Sequence, residues 1–211
     1  MLITESTLRR IIREALITEA RYTPQTLLDK GLRVRVKFKG NMVYVRCGKA
    51  AGDEPSRGTL WVDRGTPNRK GHGRCHDAWE VAVSLVNDSG MGPLLYDVAM
   101  ELSGKHGLMP DREDVSADAR RLWDIYRSKR GDVEVRGGVE VQGDVEVRQL
   151  DNPEDELTPG VEEDNCWQES ALEDKDSVSW SDSPLSKVYR SQGTPTIDAL
   201  QAMNLIDIQE V

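Results

Sequence analysis

The sequence predicts an α+β fold, a mixed and mostly antiparallel sheet flanked by helices. Three observations carry this. Alternating apolar and polar residues mark strands early in the chain, the apolar run from Trp79 to Val86 ends in a glycine-bearing loop, and good helical periodicity inside the domain comes only after that loop. Strands first and helices later do not fit the alternation of a parallel nucleotide-binding sheet.

The first segment, residues 1–20, stands apart. Leu8, Ile11, Ile12, Ala15 and Leu16 fall on one helical face, with Arg9, Arg10, Arg13 and Glu14 on the other, so an amphipathic leader helix is expected. It has neither the long apolar centre nor the small-residue cleavage site of a secretory signal. Its Glu5, Glu14 and Glu19 are foreign to mitochondrial presequences, and secretion by a signal peptide is not expected. Such a helix also suits docking on the domain or on a partner.

Leu32 to Phe38 and Met42 to Cys47 alternate cleanly around Lys39-Gly40-Asn41, which reads as a hairpin. Thr59 to Val62 is a third strand and Trp79 to Val86 the fourth. Two polar loops, 48–58 and 63–77, are long enough to contribute to a site. Leu94, Leu95, Val98, Ala99 and Leu102 then recur at helical spacing behind Pro93, and Ser116 caps a second helix through Leu122, Trp123 and Tyr126. Within 131–148 a six-residue unit occurs three times, beginning Gly131-Asp132-Val133, Gly137-Gly138-Val139 and Gly143-Asp144-Val145. Its alternating Val residues predict short strands that extend the sheet or protrude as a hairpin. The domain is thus expected over 21–150, with 131–148 as an insertion. Residues 151–211 read as an irregular acidic C-terminal extension, relieved by a short terminal helix starting near Pro195 with Ile197, Leu200 and Met203 as its apolar stripe.

Charge follows this division. The net charge of -9 comes from the C-terminal segment, where 15 acidic side chains face 3 basic ones after residue 150, while the body holds 25 basic against 22 acidic. A mildly basic body suits an anionic ligand but is too weak a balance to argue nucleic-acid binding by itself. No apolar run reaches the roughly 18 residues of a membrane span. Three cysteines, Cys47, Cys75 and Cys166, do not form a disulfide framework. His72, Cys75 and His76, even with Cys47 added, match no familiar zinc spacing, so no metal is expected.

The chemistry-bearing element is Val86-Asn87-Asp88-Ser89-Gly90-Met91-Gly92-Pro93. Gly90 and Gly92 let backbone N–H groups approach a ligand, Pro93 suits a first helical turn, and the helix behind them turns its positive end toward the loop. The same residues also suit a plain strand-turn-helix connection.

Together with Trp79-Glu80-Val81, with Gly107-Leu108-Met109-Pro110-Asp111-Arg112 and with Val115 to Trp123, this loop resembles the GNAT-like N-acetyltransferases encoded by phages, over roughly residues 30–135. The resemblance implies an acyl-CoA N-acyltransferase fold, acetyl-CoA held by its pyrophosphate on the loop, and direct acetyl transfer to an amine acceptor. It implies cofactor contacts from Val86, Asn87, Asp88, Ser89, Gly90, Met91, Gly92 and Pro93. Asn87 occupies the position three residues before the first glycine where the family carries Arg or Gln. In the family a tyrosine seven residues into the later helix protonates the leaving thiolate. Counted from Ser116 that position is Trp123, so Tyr126, one turn on, takes the role here, with Tyr96 on the first helix behind it and Glu80 as the general base. The leader is similar to phage capsid-targeting sequences cut after an apolar-x-Glu triplet, here between Glu19 and Ala20. That likeness implies capsid or scaffold partners for residues 1–20 and a place in the virion interior or host cytoplasm. The alternative is a catalytically inactive virion or interaction protein of the same fold.

Overall fold

The computed structural model describes residues 22–49, 56–65, 78–128, 169–174, 176 and 183–210, and the backbone of 133–136, 139–142 and 145–149. The leader, the His72/Cys75/His76 loop, Cys166, Trp167 and Trp180 lie outside the described residues.

The architecture is a mixed, mostly antiparallel sheet flanked by helices, with strands in the order β10-β1-β2-β3-β4-β5-β9-β8-β7-β6. A short helix α1 (Pro24–Asp29) starts behind Thr23, whose hydroxyl accepts from the Thr26 N–H, and leads into β1 (Leu32–Lys39). β1 and β2 (Met42–Lys49) form the hairpin that their period-two pattern predicts, turning at Gly40 with φ 57°. β3 (Gly58–Asp63) and β4 (Trp79–Val86) continue it antiparallel. Val34, Val36, Val43, Val45, Leu60 and Val62 all point to one side and are buried. Against that face lies α2 (Met91–Ser103), with Met91, Leu94, Leu95, Val98 and Met100 buried in the same core. Burial of apolar surface at these positions, at about 25 cal/mol for each Å² removed from water, drives the assembly.

After α2 the chain enters the two-residue β5 (Leu108–Met109), parallel to β4 and paired with it only at Trp79 and Glu80. β4 therefore keeps a partner on one side alone from Val81 onward, among the described residues. The helix expected behind Ser116 is α3 (Ala117–Ser128). Its Trp123 and Tyr126 form an aromatic cluster with Tyr96 and Tyr189 at centroid distances of 4.9 to 6.1 Å. The repeat forms β6 (Val133–Arg136), β7 (Val139–Gln142) and β8 (Val145–Gln149), an antiparallel meander that extends the sheet. α4 (Glu169–Leu172) is a single turn.

The segment read as an acidic extension supplies two strands of the same sheet. β9 (Lys187–Ser191) lies between β5 and β8, and β10 (Ile206–Glu210) runs parallel to β1 at the edge. The body thus reaches residue 210 rather than stopping at 150. β9 has only Val188 and Tyr189 as its apolar pair, and its strand character comes from neighbours on both sides rather than from its own pattern. The helix expected at Pro195 is α5 (Pro195–Ala202), which buries Ile197 and Leu200. The carboxylate of Glu101 on α2 accepts the Thr196 and Ile197 N–H groups, both at 2.8 Å, and so caps α5 from another helix.

Candidate functional site

A cavity of about 680 Å³ opens between the free side of β4, the loop that follows it and the starts of α2 and α3. Its size falls in the range usual for small-molecule sites. Val86, Asp88, Ser89, Gly90, Gly92 and Pro93 line it, joined by Ser84, Tyr96, Ser116, Asp118, Arg121 and Leu122.

The loop owes its shape to its sequence. Gly90 is the N-cap of α2 at φ 83°, a left-handed conformation that a side chain would strain. The Met91 N–H is taken by the Asp88 carbonyl, and the Tyr22 N–H holds the Gly90 carbonyl at 3.0 Å. No side chain caps α2 and no acid lies in its first turn; with the Met91 N–H taken and Pro93 lacking one, the Gly92 N–H is the first-turn donor it can offer, and the Asp88 carboxylate lines the cavity beside it. The start of α3 differs. Ser116 accepts the Ala119 N–H, and Asp118 sits in the first turn. Of the two helix starts on the cavity, α2 is the one fitted to an external anion. A Cβ built on Gly92 meets nothing within 4 Å, so that glycine keeps open space in front of the backbone.

Charges around the loop are balanced by residues distant in sequence. Asp88 accepts from Arg57 Nη1 and from the Tyr22 hydroxyl, both at 3.1 Å, and Tyr22 in turn accepts from Lys30 Nζ at 2.7 Å. The Arg57 guanidinium first, and Tyr22 second, hold the Asp88 carboxyl below its usual range. Arg121, paired with Asp118 at 2.8 Å, adds a second guanidinium at the rim. Each of these guanidinium groups is thus matched by a carboxylate that lines the cavity, and of the two arginines Arg121 lines it directly.

The remaining sequence-derived residues fall elsewhere. Asn87 is exposed, does not line the cavity, and directs its side-chain amide at the Ser56 carbonyl at 3.5 Å. Met91 is fully buried, with its sulfur packed where a Cβ on Gly58 would stand, so only its backbone belongs to the loop. Glu80 is buried and faces Arg112, whose backbone N–H and Nε–H both reach its carboxylate at 3.2 Å. Tyr126 is buried too, with its hydroxyl donating to Asp97 Oδ1 at 2.7 Å and the Pro93 carbonyl at 3.3 Å. Neither Glu80 nor Tyr126 lines the cavity. The reason is geometric. Glu80 precedes the point where β4 parts from β5, and the Tyr126 face of α3 turns inward to α2.

Tyr96 is the tyrosine that does reach the cavity. Burial raises its pKa to about 12, with Ser84 hydrogen-bonded to it as a smaller, opposing influence. Its phenol therefore keeps its proton at neutral pH, beside the stretch of β4 that β5 does not cover. Sequence spacing put Tyr126 first and Tyr96 behind it; of the two, Tyr96 lines the cavity, and Ser84 and Arg121 needed the packing of α2 against β4 and α3 to be seen. Among the described residues, no group of three or more His, Cys, Asp or Glu side chains is placed to hold a metal ion. No described helix is long and apolar enough to cross a membrane.

No family model, curated protein or solved structure matches the chain.

Proposed function

We propose that the cavity takes acetyl-CoA and that the chain is a GNAT-like N-acetyltransferase. The observation that carries this reading is the conjunction of an uncapped, glycine-fronted helix start with a strand that has lost its neighbour on the same side. The first offers the Gly92 N–H to a pyrophosphate. The second offers alternate strand N–H and C=O groups to an extended amide-bearing arm, and one such N–H can stabilise the oxyanion that forms when a neutral amine attacks the thioester carbonyl. Arg121 brings a guanidinium to the rim for the phosphates. Tyr96 supplies the proton to the departing thiolate, in place of Tyr126. With Glu80 held by Arg112, the attacking amine loses its proton to water in the cavity mouth rather than to Glu80.

One observation favours a second reading, a binding protein of the same fold without chemistry. The two side chains that the family resemblance assigns to catalysis, Glu80 and Tyr126, are both engaged in buried contacts outside the cavity. Calorimetry with acetyl-CoA and with CoA tests the site, and acetyl release on a panel of amines separates the two readings. Binding of both ligands with turnover supports the enzyme, binding without turnover supports the second reading, and no binding at millimolar ligand removes both. Delivery in a phage head is a separate part of the proposal and rests on the leader. A protein recovered from virions that begins at Ala20 supports it, and one that begins at Met1 removes it.

A further inference from the structure

We propose that the face of the β1–β4 half-sheet turned away from α2 binds single-stranded nucleic acid. Side chains that share this face are fixed by register. Arg33, Arg35, Lys37 and Lys39 alternate with the buried Leu32, Val34, Val36 and the half-buried Phe38, which puts a row of cations about 7 Å apart along β1. Lys37 lies opposite Tyr44 and Arg35 opposite Arg46 on β2, Tyr44 lies opposite Trp61 on β3, and Trp61 lies opposite Val83 on β4. The cations therefore border an aromatic pair.

Tyr44 and Trp61 meet edge to face at 5.6 Å, and the Arg46 guanidinium stands 5.7 Å from the Tyr44 ring centre. Backbone carbonyls of Asn204 and Lys49 hold the Arg33 and Arg35 guanidinium groups at 2.6 and 2.7 Å, so these cations are positioned rather than trailing in solvent. The Trp61 indole N–H is buried and has no hydrogen-bond partner among the described residues, while Leu85 on the same face is 61% exposed. Two carboxylates share this face: Asp207 on β10 lies directly opposite Arg35, and Asp63 at the end of β3 accepts the Gly65 N–H.

A ligand that fits must carry repeated anions and flat π surfaces. Single-stranded nucleic acid has both in every residue, whereas a run of acidic side chains has no rings to set against Tyr44 and Trp61. The inference does not depend on acetyl transfer, since this face and the cavity lie on opposite sides of the sheet.

The test is fluorescence anisotropy of a labelled oligothymidylate with the full chain at low salt. Saturable binding is expected, with log Kd rising linearly with log salt at roughly 0.7 per phosphate contacted. The exposed pair R35E/K37E should weaken binding by about tenfold or more while leaving the thermal melt in place. Tyr44→Ala should weaken it roughly fivefold to 150-fold with the salt slope kept. Absence of binding at low salt overturns the proposal, as does wild-type affinity in R35E/K37E. Displacement of the oligonucleotide by polyglutamate of equal charge, with Tyr44→Ala binding as wild type, also overturns it and assigns the face to acidic protein. Should Tyr44→Ala not fold, R35E/K37E decides.

Discussion

Arg112 grips Glu80 twice, with its backbone N–H on one carboxylate oxygen and its Nε–H on the other, each at 3.2 Å. Both side chains are about nine-tenths buried, so the pair fastens the loop after β5 to β4. Removing one partner leaves a buried charge uncompensated, which costs about 3–5 kcal/mol. Glu80→Ala should therefore lower the thermal midpoint strongly, measured by circular dichroism, and Glu80→Gln less so. If either variant folds, its acetyl-transfer rate at saturating substrate should keep the pH profile of the parent. A Glu80→Gln variant that folds and binds acetyl-CoA but loses acetyl transfer would return Glu80 to the role of general base.

Gly92 separates folding from ligand binding. Its open surroundings and its place in the first turn of α2 mean that Gly92→Ala adds helix propensity worth up to about 1 kcal/mol without a clash. The melt should hold or rise, while CoA affinity by calorimetry should fall about tenfold or more as the added methyl displaces a phosphate from the first-turn N–H. Unchanged affinity would place the anion elsewhere.

Tyr96 makes a prediction in rate and another in stability. Tyr96→Phe should lower kcat by about 10²–10⁴ with little change in KM for acetyl-CoA, whereas Tyr126→Phe should cost stability, through the Asp97 contact, and spare kcat. For stability, the folded phenol titrates near 12 and the unfolded one near 10. Below pH 10 both states hold the proton and the contribution is complete. Between pH 10 and 12 the unfolded state releases it first, so stability falls by roughly 2–3 kcal/mol. Denaturant melts of wild type against Tyr96→Phe across that window should converge as pH rises.

Asp88 is the one carboxylate on the glycine loop, and its pairing with Arg57 decides the loop's charge. Asp88→Asn should release Arg57 toward an incoming phosphate and tighten CoA binding several-fold at low salt, and Arg57→Ala should weaken it. Because Arg57 and Tyr22 depress the Asp88 pKa, its favourable contacts persist above its unfolded value of 3.8 and fade as pH falls through the lower folded one. A titration of CoA binding between pH 5 and 7 should show no inflection from this group.

The strands and helices that carry strong periodicity were legible in the sequence, and the structure locates them close to the expected positions, including the β1–β2 hairpin, α2, α3 and the repeat meander. What was not legible is tertiary in origin. β9 lacks apolar alternation of its own and β10 has it only over Ile206-Asp207-Ile208, and both become strands through pairing with β5, β8 and β1. The loop residues lining the cavity were visible because glycine and proline spacing is local chemistry. The inward turn of Tyr126, the Arg112 grip on Glu80 and the approach of Arg57 to Asp88 join residues 29 to 32 positions apart, and no local pattern announces them.

The parallel pairing of β10 with β1 joins the start and finish of the described body, Val34 against Ile206. During synthesis β1 is therefore a naked sheet edge until β10 has emerged. An edge of this kind is a template for intermolecular pairing, and lysine and arginine along it are the usual protection. Arg33, Arg35, Lys37 and Lys39 thus act as gatekeepers of the nascent protein, and their replacement by neutral residues should show first as aggregation in the cell, before any loss of stability in the finished fold.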